Sequence, residues 1–371
     1  MPKKITTFDI VLFIIPLIFA VTSIAVIYSL VFNTSDSTLV FKQVTASLIG
    51  IAAMVASGFM DYRLFRGTNW IFYLITVVLL VVVDFFGKTA GGAKSWLDLG
   101  FFNLQPSELA KIATIFSLAS FFSNRIGKMQ WKDVILSFVI MAPILTLVLT
   151  QPDLGTALVI LFIYFSLLFV AKPTRTQNLV ISGIILLASA SLVLAAYKVG
   201  PFTHLLKDYQ RARILTFVSS DYDPYGRSYN VRQAQISVGS GGLLGKGLGH
   251  GTQSQLQFLP EPHTDFIFAG IAESFGFVGS ALFLLLYLYL ILKIIGIAHV
   301  AQDNFGMMVV MGVASMFLFQ VVVNVGMNLG VAPVTGIPLP LLSYGGTAMV
   351  VALFLTGVTQ SVFIRHKKIS F

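Results

Sequence analysis

The chain has 371 residues, of which 56% are hydrophobic and only 11% charged, with a mean hydropathy of +0.88, a balance that excludes a water-soluble domain of this size. It has no cysteine, which excludes disulfides, thiolate metal sites and cysteine nucleophiles. The net charge of +9 is explained by membrane orientation and attraction to anionic lipid, and no nucleic-acid recognition motif accompanies it.

Spanning hydrocarbon takes roughly 20 apolar residues per helix, and the period-two alternation of a membrane barrel is absent. The apolar runs predict ten spans, at about 10-32, 44-60, 70-87, 107-123, 134-151, 154-171, 178-198, 264-292, 306-330 and 345-364. The first run is longer than a signal-peptide core and is read as a retained helix. The expected fold is an all-α polytopic membrane protein, one integral domain over 1-371. A large extracytoplasmic loop, 199-263, joins helices 7 and 8. With the N-terminus inside, the inner segments collect thirteen basic residues, from Lys3 and Lys4 to Lys367 and Lys368, against Lys42, Lys88 and Lys94 in the short outer loops. The positive-inside rule then predicts a multi-pass protein of the cytoplasmic membrane with both termini in the cytoplasm.

Glu108 and Lys111 stand i, i+3 apart at the start of the fourth span, after Pro106 at the first helical position. Ionisable groups in a span are functional candidates, and an internal ion pair is the structural alternative. Asp84 and Glu273 are read as structural.

The long loop carries Lys207, Arg211, Arg213, Arg227, Arg232 and Lys246 against Asp208, Asp221, Asp223 and Glu261. Val231, Ala234 and Val238 recur at helical spacing opposite Arg232, Gln233 and Gln235, predicting a short helix on the membrane interface. Between Gly239 and Gly251 there are seven glycines around Lys246. Such backbone suits either an anion-binding nest or tight turns. It is no nucleotide loop, because Ser240 and Gly247 stand where the phosphate-loop pattern needs glycine and a hydroxyl.

Asp265 lies at the mouth of the eighth span, where helix capping competes with a catalytic role. Ala269, Ala272, Gly276 and Gly279 continue its face as a small-residue stripe, fit for close helix packing or for a lipid-tail furrow. His250, His263 and Asp265 match no metal-ligand spacing, so the histidines are read as hydrogen-bonding partners.

Several segments together resemble the SEDS family, the RodA, FtsW and SpoVE proteins. They are Gly92-Ala-Lys-Ser-Trp-Leu-Asp-Leu-Gly100, Gln105-Pro-Ser-Glu-Leu-Ala-Lys111, Gln151-Pro-Asp-Leu-Gly-Thr156, Asp208-Tyr-Gln-Arg211, the glycine-rich loop, and Pro338-Leu-Pro-Leu-Leu-Ser-Tyr-Gly-Gly346. The loop's Gly251-Thr-Gln-Ser-Gln-Leu256 is most similar to the RodA branch. The resemblance implies a peptidoglycan glycosyltransferase that polymerises lipid II on the outer membrane face and releases undecaprenyl pyrophosphate. Its implied partners are a class B penicillin-binding protein and the elongation machinery.

On that footing Asp265 is the expected general base. Lys111, Arg211 and Lys246, with a divalent cation such as Mg or Mn shared with the pyrophosphate, are expected to meet the leaving group's charge. Glu108 would orient Lys111, and Trp96, Gln253, Gln255, Glu261 and His263 would shape the substrate site. The competing readings are a transporter that flips lipid II and a non-catalytic scaffold.

Overall fold

The computed structural model describes residues 8-31, 37-90, 93-98, 103-199, 206, 208-218, 227-256, 258 and 261-366. Lys3, Lys4, Lys367 and Lys368, and from the loop Lys207, Asp221 and Asp223, lie outside the described residues. Among those described, thirteen helices follow in order: α1 (Val11–Val31), α2 (Ser37–Phe59), α3 (Leu64–Phe86), α4 (Pro106–Ser123), α5 (Trp131–Thr150), α6 (Leu154–Val170), α7 (Arg175–Ala196), α8 (Asp208–Val218), α9 (Arg227–Ser240), α10 (Thr252–Gln255), α11 (Ile267–Val300), α12 (Asn304–Asn328) and α13 (Gly346–Ile364).

Each of the ten predicted spans coincides with one of these helices. Eight are long and apolar enough to cross a membrane. The other two are the 17-residue α6 and α4, which carries the buried Glu108 and Lys111. Burial sorts centre from rim: 67% and 72% of the most apolar windows of α12 and α13 are buried, against 17% for α3 and α7. The peripheral helices give their apolar residues to lipid, so their sequences carry no polar face to mark them as outer.

Close packing at the centre depends on small residues. A Cβ on Gly357 of α13 would sit 2.1 Å from Ser57 Oγ and 2.2 Å from the Met54 carbonyl on α2. The two helices therefore meet backbone to backbone, and Ser57 Oγ donates to the Phe354 carbonyl at 3.0 Å.

Between α3 and α4 lies a short antiparallel sheet that the apolar pattern does not predict, made of β1 (Lys88–Ala90), β2 (Ala93–Asp98) and β3 (Asn103–Leu104) in the order β1-β2-β3. Strands of two to six residues are too short to show an alternation. Lys94 Nζ donates to the Asp84 and Phe85 carbonyls, tying the hairpin to the end of α3. Thr347 links it to α13, accepting from Gln105 N at 3.0 Å and donating to the Asn103 carbonyl at 2.9 Å.

The 34-residue α11 is broken at Gly276, whose φ of 65° and ψ of −167° are open only to glycine. In an unbroken helix the carbonyls of Glu273 and Ser274 would accept from the N–H groups of Phe277 and Val278. Here the glycine-rich loop replaces both bonds with four. Lys246 N and Gly247 N donate to the Glu273 and Ser274 carbonyls at 3.0 and 2.9 Å. Phe277 N and Val278 N donate to the Gly242 and Leu243 carbonyls at 2.8 and 3.0 Å. The approach is close enough that a Cβ on Gly241 would lie 2.0 Å from the Ala272 carbonyl.

Candidate active site

At the end of the bundle where α4, α11 and α13 begin, a cavity of about 930 Å³ opens. Its lining comes from α2, the hairpin, the starts of α4, α6 and α13, α8, α9, the segment 261-266 and the segment 334-338.

Asp265 lines the cavity just ahead of α11, and its main chain is fixed from three directions. Tyr344 N donates to the His263 carbonyl at 2.7 Å, and Ser343 Oγ to the Thr264 carbonyl at 2.7 Å. The Asp265 carbonyl accepts from Asn324 Nδ2 at 3.1 Å and Asn328 Nδ2 at 3.2 Å, one turn apart on α12. Asn328 Oδ1 also accepts from Ala269 N at 3.0 Å, so this asparagine caps the first turn of α11 that Asp265 leaves uncapped. The N-cap residue of α11 is Phe266, with no side-chain cap bond of its own, so the capping alternative for Asp265 does not hold.

Burial pushes the Asp265 carboxyl up to about 6; the negative charge of Glu261 adds to the rise, Arg213 opposes it, and Asp153 raises it further. Asp153 is itself held as the N-cap of α6, accepting from Thr156 N at 2.9 Å and Ser107 Oγ at 3.0 Å. A carboxyl that titrates near 6 is ionised at neutral pH yet basic enough to take a proton in a transition state.

Of the expected site residues, Trp96, Glu108, Glu261, His263 and Asp265 meet at this cavity. His263 stands edge-on to Tyr344 with ring centroids 5.4 Å apart, and its Nε2 lies 3.7 Å from Glu261.

Lys111, Arg211, Lys246, Gln253 and Gln255 are not among the cavity's lining residues. Lys111 is sealed in α4, its Nζ on the Glu108 carboxylate at 2.7 Å with both side chains 3% exposed or less. That is the internal ion pair, within one helix. Arg211 turns its Nε to the Ala196 carbonyl at 2.8 Å. Gln255 Nε2 donates to the Ser29 carbonyl on α1 at 2.6 Å.

Lys246 and Gln253 belong to a second polar centre around Glu273. The fully buried Glu273 Oε1 accepts from Lys246 Nζ at 3.1 Å and Gln253 N at 2.9 Å, and more weakly from Ser240 and Thr252 hydroxyls at 3.4 Å. Ser237 Oγ reaches Oε2 at 3.3 Å. The glycine-rich loop thus surrounds an anion that the chain supplies itself. The small-residue stripe on α11 is correspondingly filled: Ala272 and Gly276 receive the loop, and Ala269 packs with Ala234 of α9. It is a packing face and not an open furrow.

Three other cations line the cavity in their place: Lys42 on α2, Lys88 on β1 and Arg213 on α8. Arg213 donates to the Thr335 carbonyl at 3.3 Å, and a Cβ on the next residue, Gly336, would lie 3.5 Å from Asp265 Oδ2. Lys88 pairs with Asp98 across the hairpin. The signal for Arg213 was its spacing from Arg211: two residues along a helix turn a side chain to nearly the opposite face.

Residues 3–368 match the FtsW/RodA/SpoVE family, described as "Cell cycle protein". The chain is 38% identical to the peptidoglycan glycosyltransferase MrdB of Escherichia coli, over 100% of this chain and 98% of that protein. It is 31% identical to the peptidoglycan glycosyltransferase RodA of Treponema pallidum, over 98% and 99%. Among solved structures, one described as showing structural coordination of polymerization and crosslinking by a peptidoglycan synthase complex has a chain that superposes with a TM-score of 0.80 at 30% identity, covering 97% of this chain and 98% of that one.

Proposed function

The chain belongs to the FtsW/RodA/SpoVE family of cell cycle proteins, and from that premise we propose that Asp265 is the general base of its reaction. The chain is a multi-pass membrane protein and a peptidoglycan glycosyltransferase of cell elongation; its MrdB and RodA relatives are named peptidoglycan glycosyltransferases. The substrate is lipid II, presented from the outer leaflet of the cytoplasmic membrane, with both chain termini on the cytoplasmic side.

Asp265 takes the proton from the 4-hydroxyl of the acceptor sugar. That oxygen forms a bond to the anomeric carbon of the donor as the bond to the diphosphate breaks with inversion. The electron pair leaves on undecaprenyl pyrophosphate, giving a β-1,4 linkage. Lys42, Lys88 and Arg213 are the cations available in the cavity for the charge on lipid-linked diphosphate, and they replace Lys111, Arg211 and Lys246 in that role.

A divalent cation shared with the diphosphate is part of this proposal. Among the described residues no three Asp, Glu or His side chains converge on one point. Phosphate oxygens would therefore supply most of its ligands, as is usual for magnesium. The proposed partner is a class B penicillin-binding protein, in keeping with the relative chain found in a complex that coordinates polymerization and crosslinking.

The observation that carries the base role is the position of Asp265: on a main chain fixed by four side-chain and backbone donors, facing the cavity, with its carboxyl pushed up to about 6. The test is purified protein incubated with lipid II and the products run on a gel. Wild type makes polymer and Asp265→Asn makes none. Movement of lipid II across vesicles without any polymer would favour the transporter, and polymer from Asp265→Asn would remove the base.

A further inference from the structure

At the end of the bundle opposite the cavity, most lysines and arginines are engaged inside the fold. Arg63 Nε donates to Asp303 at 3.2 Å, Arg66 to Asn124 Oδ1 at 2.8 Å, Arg125 to Asp133 at 3.0 Å and Arg365 to the Phe59 carbonyl at 2.6 Å, while Lys293 pairs with Asp9 at 2.8 Å. Lys128, Lys132, Lys172 and Arg175 differ. All are exposed, and among the described residues their side chains form no hydrogen bond or ion pair.

Two bonds bring these cations to one edge of the bundle. Gly127 N donates to the Ala171 carbonyl at 2.9 Å, joining the turn between α4 and α5 to the turn between α6 and α7. Gln177 Nε2 donates to the Met129 carbonyl at 3.3 Å. Lys128 and Lys132 flank one side of this junction, and Lys172 and Arg175 flank the other. Asp133, the acid beside them, is buried and already holds Arg125 Nε and Gln130 N.

Helix stability argues against cations at these positions. Lys132 and Arg175 stand in the first turns of α5 and α7, where the helix dipole disfavours positive charge. Lys172 follows the last turn of α6 with a φ of 56°, a conformation that favours glycine. The turn bonded to it obeys that preference, with Gly127 at a φ of 68°. A charge kept where the backbone opposes it, and left unpaired, is open to an anion from outside the chain.

The level of the patch identifies that anion. Trp131, next to Lys132, is 45% exposed, and Ile135, one turn further along α5, is 63% exposed. An exposed tryptophan beside an exposed aliphatic face marks the boundary between headgroups and acyl chains. We propose that Lys128, Lys132, Lys172 and Arg175 seat the phosphate headgroup of an anionic phospholipid from the leaflet opposite the cavity, its chains lying along the Ile135 face of α5. Orientation in the membrane needs only the number of such charges. A seat needs their assembly, which the two bonds between the turns provide.

The full chain in detergent, titrated with phosphatidylglycerol or with neutral phosphatidylcholine, tests this by native mass spectrometry of the retained lipid. Wild type is expected to keep phosphatidylglycerol at concentrations where phosphatidylcholine is lost. Lys128→Gln, Lys132→Gln and Arg175→Gln should each weaken that retention roughly fivefold, whereas Arg66→Gln, at the same end but already bonded, should change it by less than about twofold. Lys172→Gly should weaken it by a similar factor and yet melt no lower than wild type without lipid, so that its loss of lipid is not a loss of fold. Lys172→Arg should keep the lipid. The proposal is overturned if wild type retains both lipids equally, if Arg66→Gln loses as much as the others, or if Lys172→Gly keeps its lipid. Capture of a polyglutamate peptide where phosphatidylglycerol is not retained would overturn it too, giving the patch to an acidic protein segment.

Discussion

Lys246 and Glu273 form a 3.1 Å ion pair inside the break of α11, with the carboxylate side chain wholly buried and the lysine side chain 26% exposed. The two partners are therefore unequal. Lys246→Met leaves a sealed carboxylate without its ammonium, a loss of about 3–5 kcal/mol by the usual cost of breaking a buried ion pair from one side. Glu273→Gln leaves an ammonium that water can still reach. Thermal denaturation in detergent should rank Lys246→Met below Glu273→Gln, and the reverse order would mean that the ammonium is the more deeply buried group.

The raised Asp265 carboxyl gives activity and stability opposite pH dependences. The base must be ionised in the free protein, so kcat/KM should fall roughly tenfold per unit as pH drops below about 6. Stability behaves in the other sense. A carboxyl whose folded value is raised favours the folded state most fully below its ordinary range, and that contribution is lost as pH rises through about 6. Asp265→Asn should abolish polymerisation, by about 10² to 10⁴-fold, without lowering the melting temperature at neutral pH. A rate that stays flat between pH 5 and 7 would contradict this.

Asn324 donates both to the Asp265 carbonyl and, at 2.8 Å, to the Ile337 carbonyl, so it holds both the base and the segment facing it. Asn324→Leu should lower the turnover rate by roughly 10²-fold through misplacement of the carboxylate, with little change in half-saturating lipid II. A change confined to half-saturation would show that the asparagine serves binding and not alignment.

Two glycines two residues apart should behave oppositely. Gly239, in the last turn of α9, has open space where a Cβ would stand, so Gly239→Ala should be neutral or stabilising by up to about 1 kcal/mol. Gly241→Ala would drive a methyl into the Ala272 carbonyl, costing about 1–3 kcal/mol or more. Melting temperatures of the two variants decide this directly, and equal values would mean the loop does not sit against α11 as described.

The helices were readable from the sequence because apolar runs in lipid are nearly unambiguous, and Asp265 was readable because an acid at a span's mouth is costly without a reason. The cations were harder. Lys42 and Lys88 read locally as charges that set orientation, since nothing near them in sequence shows that α2 and the hairpin line the same cavity as Asp265. Choosing Arg211 over Arg213 turned on which face of α8 meets the cavity, and that is decided by contacts with residues far along the chain. Lys246 resembled a phosphate ligand because its true partner, Glu273, lies 27 residues further on. The glycine-rich run read equally well as a nest or as turns, and it packs as closely as turns do while enclosing a carboxylate of the same chain.

The break at Gly276 also bears on the order in which the protein can be made. Orphaned peptide groups facing hydrocarbon cost several kcal/mol each, so α11 would be a poor insertion substrate if it entered the bilayer alone. Synthesis runs from the N-terminus, and the residues that mend the break, Gly242 to Gly247, leave the ribosome before Glu273 to Val278 do. The patch is waiting when the damaged helix arrives, and a rearranged gene that delivered α11 first would have to insert it unmended.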